Sequence, residues 1–139
     1  MSSPPLLLLK LDQNGKLLDD DADWWAALEI PALSLIVTPR PIRPDPLPFI
    51  TAEIAVASCH ILNRDTWRIP SLHELQKVVD YTRINPAFGP GFEIERGPIW
   101  TATPTKWCDS KRWCVEAYTG STLYQEVSEI GHVLAFTDK

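Results

Sequence analysis

The sequence predicts an α+β fold: two helices packed on a small antiparallel sheet, with long irregular loops between them. Three observations carry this. Two mid-chain segments open with helix-starting residues and run with helical spacing, Thr51 to Leu62 and Ser71 to Tyr81. The last third changes to β-branched and aromatic runs bounded by turn residues. Thirteen prolines remove ladder donors and helix hydrogen bonds, so much of the chain must be loop, and six tryptophans supply the apolar area to hold it.

Taken in order, Leu6 to Asp12 reads as a strand, and Asn14-Gly15 followed by Lys16-Leu17-Leu18 is a hairpin signal. Asp19 to Asp23 suits the positive end of a short helix carrying Trp24, Trp25 and Leu28, stopped by Pro31. Pro39 to Pro48 is a proline-rich surface loop. Thr51 caps a helix whose apolar face is Ile54, Ala57, Ser58 and Ile61. Ser71 and Glu74 form a capping box ahead of Leu72, Leu75, Val78 and Val79. Asn85 to Pro98 is rich in Pro and Gly and reads as a long loop. Strands are then expected at Ile99 to Thr103, Arg112 to Tyr118 and His132 to Thr137, as an antiparallel meander with a Thr119-Gly120-Ser121 turn.

A chain of 139 residues is the size of one domain, 1–139, with a single core as the default. With 45% hydrophobic and 22% charged residues, it falls in the ordinary globular range. A net charge of -5 without a local cluster of Lys or Arg repels polyphosphate, so nucleic acid is not an expected partner. The apolar run Leu6 to Leu9 is too short to span a bilayer or to form a signal-peptide core. Three cysteines, Cys59, Cys108 and Cys114, are an odd number, which fits a reducing cytoplasm better than a disulfide framework.

The string Asp65-Thr66-Trp67-Arg68-Ile69-Pro70-Ser71, then Glu74-Leu75, Val79 to Arg83 and Asn85-Pro86-Ala87, resembles the Trp-Arg-Leu-Pro-Thr segment of the Lcl C-terminal domain family. Trp100-Thr101-Ala102-Thr103-Pro104 is similar to that family's Trp-Thr-Ser-Thr-Pro strand, and Trp113 to Tyr118 with Gly120 to its next strand and turn. The likeness covers residues 50 to 139 and extends weakly to Leu11-Asp12 and Asp19 to Trp25, as in versions carried by bacteriophages and prophages. Ser34 to Val37 stands where the family has a Gly-Leu-x-Trp strand. The resemblance implies a C-type-lectin-like fold in which the helices and sheet are scaffold and the loops carry recognition. It marks Trp67, Arg68, Ser71, Glu74, Trp100 and Trp113 as structural hallmarks.

The chemistry-bearing residues give no enzyme signature. Trp67 ahead of a capped helix reads as an anchor to the sheet, with a ligand platform as the other reading, and Arg68 as a donor to loop carbonyls. Trp100 and Trp113 read as core, whereas Trp107, in the Lys106 to Asp109 loop, has no period to bury it. Candidate protein-contacting residues are therefore Trp107, Phe92, Phe88, Asp109 and Arg96. Cys108 and Cys114 invite comparison with the copper-holding cysteine pair of formylglycine-generating enzymes, and with Cys59 and His60 they invite a zinc site. Against copper, Cys114 lies within the expected strand and no third sulfur or surrounding motif is evident; against zinc, no Cys-x-x-Cys or His-x-x-x-His spacing occurs, so buried thiols are expected, with neither cofactor nor metal. The loops lack the signatures of calcium-dependent sugar binding, and His60 and His73 read as ordinary surface groups. Asp19 to Asp23 reads as a solvated helix start, or as a small mimic of a nucleic-acid backbone.

The resulting expectation is a non-enzymatic protein-binding module, phage- or prophage-encoded. It would act in the host cytoplasm on a host protein such as a defence component, as a monomer or small homo-oligomer. A receptor-binding or adhesin domain is the alternative, disfavoured by the lack of an attached stalk, and the copper oxidase is the third reading.

Overall fold

A computed structural model describes residues 6–139. The fold is α+β, with two α-helices and two small antiparallel sheets. Strands β1 (Leu9–Leu11), β2 (Ala27–Ile30), β3 (Leu35–Val37) and β7 (Phe136–Asp138) form one sheet in the order β1-β2-β3-β7. Strands β4 (Pro98–Thr105), β5 (Cys108–Glu116) and β6 (Thr122–Glu126) form the other. The expected meander is therefore corrected: its third strand is β6, and the closing strand pairs with β3 as Leu35 with Asp138 and Val37 with Phe136.

Both faces of the first sheet are buried, which explains its consecutive apolar residues. Leu28, Ile30, Leu35, Val37 and Phe136 point into one cluster with Leu75, Val78, Phe88, Phe92, Ile99 and Val115. Ala27, Ile36 and Ala135 point into a second cluster with Phe49, Ala52, Val56, Trp67, Trp100 and Cys114. Helix α1 (Phe49–Ala57) covers the second cluster and α2 (Leu72–Val78) the first, so the helices lie on opposite sides. Segment 131–135 joins the two sheets. On one flank the Thr38, Ile42 and Leu47 N–H groups donate to the Ala135, Val133 and Gly131 carbonyls; on the other, His132 exchanges backbone bonds with Pro98 and Trp100.

Two helix expectations change. The acidic stretch is a turn, with the Ala22 N–H donating to the Asp19 carbonyl, and the Lys10 ammonium donates to the Asp20 and Ala22 carbonyls. The residues after it become β2 because Ala27, Leu28 and Ile30 are each fully buried, which a strand between two strands achieves and a surface helix does not. The buried face of α1 is Phe49, Ala52, Ala55 and Val56, and Ile54 is 62% exposed. The helix starts at Phe49 behind Pro48, two residues before Thr51, and ends at Ala57; the expected Ile54–Ala57 face points outward because Phe49, Ala52 and Val56 on its other side pack into the second cluster. The Asn14-Gly15 turn is present, with Gly15 at φ 83°, but its return strand reduces to the Leu11–Leu17 bridge.

The capping box is formed. The Glu74 N–H donates to Ser71 Oγ at 3.2 Å and the Ser71 N–H to Glu74 Oε1 at 3.0 Å. Helix α2 ends at Val78, short of Tyr81, where Val79 turns to extended backbone and bridges to Phe88. Ser71→Ala is expected to cost about 1 kcal/mol by leaving an amide of the first turn unpaired. The urea midpoint measures it, and an unchanged midpoint would mean that water serves the amide equally well.

Candidate functional site

Strands β4 and β5 are joined at Lys106-Trp107, with Thr105 paired to Cys108, so the segment read as a loop is the tip of a hairpin. Trp107 stands at that tip, 60% exposed. Along β5 and β6, Trp113 pairs with Tyr124 and Lys111 with Glu126. The two-residue period of a strand puts Lys111 and Trp113 on one sheet face with Tyr124 and Glu126.

Three rings meet there. Trp107 and Trp113 have centroids 5.8 Å apart, Trp107 and Tyr124 5.3 Å, and Trp113 and Tyr124 5.6 Å, with planes within a few degrees of perpendicular in each pair. Each contact is the edge-to-face arrangement that the ring quadrupoles favour, worth about 0.5–1.5 kcal/mol beyond area burial. The rings thus hold one another in place while Tyr124 stays 48% exposed and Trp113 half-buried. Lys111 Nζ lies 5.4 Å from the Tyr124 centroid and 3.9 Å from Glu126 Oε1, giving the patch a polar margin. Behind the sheet the Arg112 guanidinium lies 4.8 Å over the Phe49 ring, fixing the hairpin to α1. Preordered aromatic rings with a charged rim are chemistry for recognition, because rigid rings lose little entropy on contact.

The structure separates the expected contact residues. Trp107 and exposed Asp109 share the hairpin end. Arg96 is exposed at the opposite end, beyond the Pro98–Glu116 pair, with its guanidinium 4.6 Å over Tyr118. Phe88 and Phe92 are corrected outright: they are 2% and 7% exposed, 5.2 Å apart, inside the first core cluster. The loop that carries them turns inward because the Ala87 N–H donates to the Ala117 carbonyl and the Glu93 N–H to the Pro39 carbonyl. Trp113, read as core, belongs to the surface patch, since β5 runs out past the cover of α2. Tyr124 and Lys111 were missed; the Thr-Leu-Tyr-Gln-Glu alternation after the Gly120 turn was the available signal.

The other hallmark residues hold the scaffold. Trp67 is 6% exposed and donates its indole N–H to the Ile61 carbonyl at 2.8 Å. Arg68 does not serve loop carbonyls as expected: its guanidinium pairs with the Glu74 and Asp138 carboxylates, tying the α2 cap to β7. Trp100 is fully buried, donates its indole N–H to the Leu47 carbonyl at 2.7 Å and meets Phe49 edge-on.

The cysteines have unlike environments. Cys108 Sγ lies 3.0 Å from Ser110 Oγ, and hydrogen bonds from Ser110 hold its thiol below the usual range. Burial pushes Cys59 up and Cys114 up to about 12. Cys108, expected to be buried, lies at the β4–β5 turn and is partly exposed, whereas Cys114 is six residues along the strand inside the second core cluster, so the two thiols do not share an ion. Among the described residues no three His, Cys, Asp or Glu side chains gather as a metal site. Iodoacetamide at pH 8 is expected to label Cys108 first, because the thiolate is the nucleophile. Since the folded state keeps the Cys114 proton longer than the unfolded state, stability is full below about pH 9.0 and falls as pH rises toward about 12. Cys114→Val should flatten that limb in thermal melts; an unchanged limb would assign the loss to other groups.

No helix among the described residues is long and apolar enough to cross a membrane. The chain matches no protein-family model, and no curated protein matches it in sequence.

Proposed function

We propose that this chain is a non-enzymatic recognition module of the C-type-lectin-like kind, a version of the Lcl C-terminal domain. It docks on another protein through the Trp107–Trp113–Tyr124 patch. The observation that carries the reading is that patch itself: three exposed or half-exposed rings fixed by mutual edge contacts at the end of a hairpin. Exposed aromatics of this kind supply most of the energy of many interfaces. The phage- and prophage-like features of the sequence support a host protein as the partner, met in the host cytoplasm, with antiviral defence components the first class to examine.

Affinity capture from a bacterial lysate with quantitative mass spectrometry tests this. Wild-type protein is expected to enrich a specific partner, Trp107→Ala and Tyr124→Ala to lose it at least tenfold, and Cys108→Ser to retain it. Equal capture by the folded aromatic variants would remove the patch from the interface. Enrichment of an envelope protein would favour the adhesin reading. The separation of Cys108 from Cys114 counts against the copper oxidase.

A further inference from the structure

Among the described residues, every outer edge of the two sheets but one receives backbone bonds from a neighbouring segment. Outside β1, the Leu18 N–H donates to the Lys10 carbonyl. Outside β7, Arg68 and Phe136 exchange both of their backbone bonds. Outside β4, His132 bonds to Pro98 and Trp100, and the Ala102 N–H donates to the Pro70 carbonyl. The exception is the outer side of β6.

The register fixes which way the backbone groups of β6 point. The Glu116 N–H donates to the Ser121 carbonyl and the Val127 N–H to the Ser110 carbonyl, so these are hydrogen-bonded pairs of the β5–β6 ladder, and the pairs between them alternate. Leu123 and Gln125 therefore bond to β5, whereas the N–H and C=O groups of Thr122, Tyr124 and Glu126 point away from it. Among the described residues only the Glu126 carbonyl finds a backbone partner on that side, the Glu129 N–H at 3.0 Å, and a carbonyl keeps a second lone pair. The edge is also open. Thr122 and Tyr124 are exposed, and no proline follows Pro104 in the sequence to block a ladder there.

We propose that a second copy of this chain pairs on this edge, β6 against β6 antiparallel about a two-fold axis at Tyr124. That register is self-complementary. Tyr124 faces the partner's Tyr124, Thr122 the partner's Glu126 and Leu123 the partner's Gln125, so each outward N–H meets an outward C=O. Glu126, the strand's one charged residue, meets a neutral threonine instead of another carboxylate, and Lys111 already lies 3.9 Å from it. A two-residue slip in either direction leaves outward groups at one end of each strand without a partner. The strand's own sequence thus supplies its match, which singles out a second copy over a foreign strand. The axis stands normal to the sheet, so both ring clusters lie on one face and meet at the tyrosines. Pairing uses the edge of the sheet and the docking proposed above uses its face, so neither depends on the other.

Sedimentation equilibrium of the whole chain is expected to show a dimer with a Kd of about 1–100 μM, the range of small transient interfaces. Amide hydrogen exchange followed by ¹H–¹⁵N spectra should slow at Thr122, Tyr124 and Glu126 as concentration rises through that range, with Leu123 and Gln125 protected throughout. Thr122→Glu sets a carboxylate opposite the partner's Glu126 at both ends of the pairing and should weaken the dimer about fivefold or more. Thr122→Lys should tighten it about twofold or more. Adding Glu126→Lys to Thr122→Glu should restore pairing, and Trp107→Ala should leave it unchanged. A chain that stays monomeric at about 1 mM, slowing of these amides only when a foreign protein is added, a dimer protected at other amides, or equal dimerisation of folded Thr122→Glu and wild type would each overturn the proposal.

Discussion

Trp100→Ala is expected to lose about 4 to 7 kcal/mol, close to the whole stability of an ordinary domain. The ring is fully buried and packs edge-on against Phe49 at 5.3 Å, so its removal opens a cavity between α1 and the β4-β5-β6 sheet. The same change deletes the indole N–H that the Leu47 carbonyl accepts, at the point where the proline-rich loop turns into α1. Urea denaturation measures the loss. Trp100→Phe should recover part of it, because a ring remains while the donor does not. Equal midpoints for the two variants would mean that the hydrogen bond, not the packing, carries the effect.

Phe88→Ala and Phe92→Ala are each expected to cost about 3 to 5 kcal/mol, against about 1 to 2 kcal/mol for Trp107→Ala. All three aromatics lie in segments the sequence presents as loop, yet two fill the cluster under α2 and the third stands in solvent. The phenylalanine rings touch, so the double variant should depart from the sum of the single ones. Trp107→Ala removes only edge contacts to Trp113 and Tyr124. Denaturation midpoints for the set check the ranking, and Trp107→Ala as damaging as Phe88→Ala would show that the surface rings are part of the core's support.

Features whose physics is contained within a few residues were legible in the sequence. The Ser71–Glu74 box needs only two side chains at the right spacing, and both bonds form. Gly15 and Gly120 mark turns because each sits at positive φ, which other residues adopt at a cost. Strands β4 and β5 carry β-branched and aromatic residues whatever packs on them, and the proline count placed the loops. The exposed Trp107 was also legible, because no period around it offered burial.

Which residues face inward was decided by tertiary structure. Ala27 to Ile30 alternates only at Leu28-Glu29-Ile30, with Ala27 buried on the opposite face, and four residues are too few for a period to distinguish a strand from a helical turn. Ile54 faces solvent because α1 packs on the second cluster through Phe49, Ala52 and Val56, and Ile54 lies about 200° around the helix from Ala52. Phe88 and Phe92 face the core because distant carbonyls, Ala117 and Pro39, draw their loop inward. Trp113 and Tyr124 form a patch with Trp107 only because the β5–β6 register sets them opposite each other beyond the reach of α2. Composition and spacing named the aromatic residues, and long-range pairing chose which of them the protein shows.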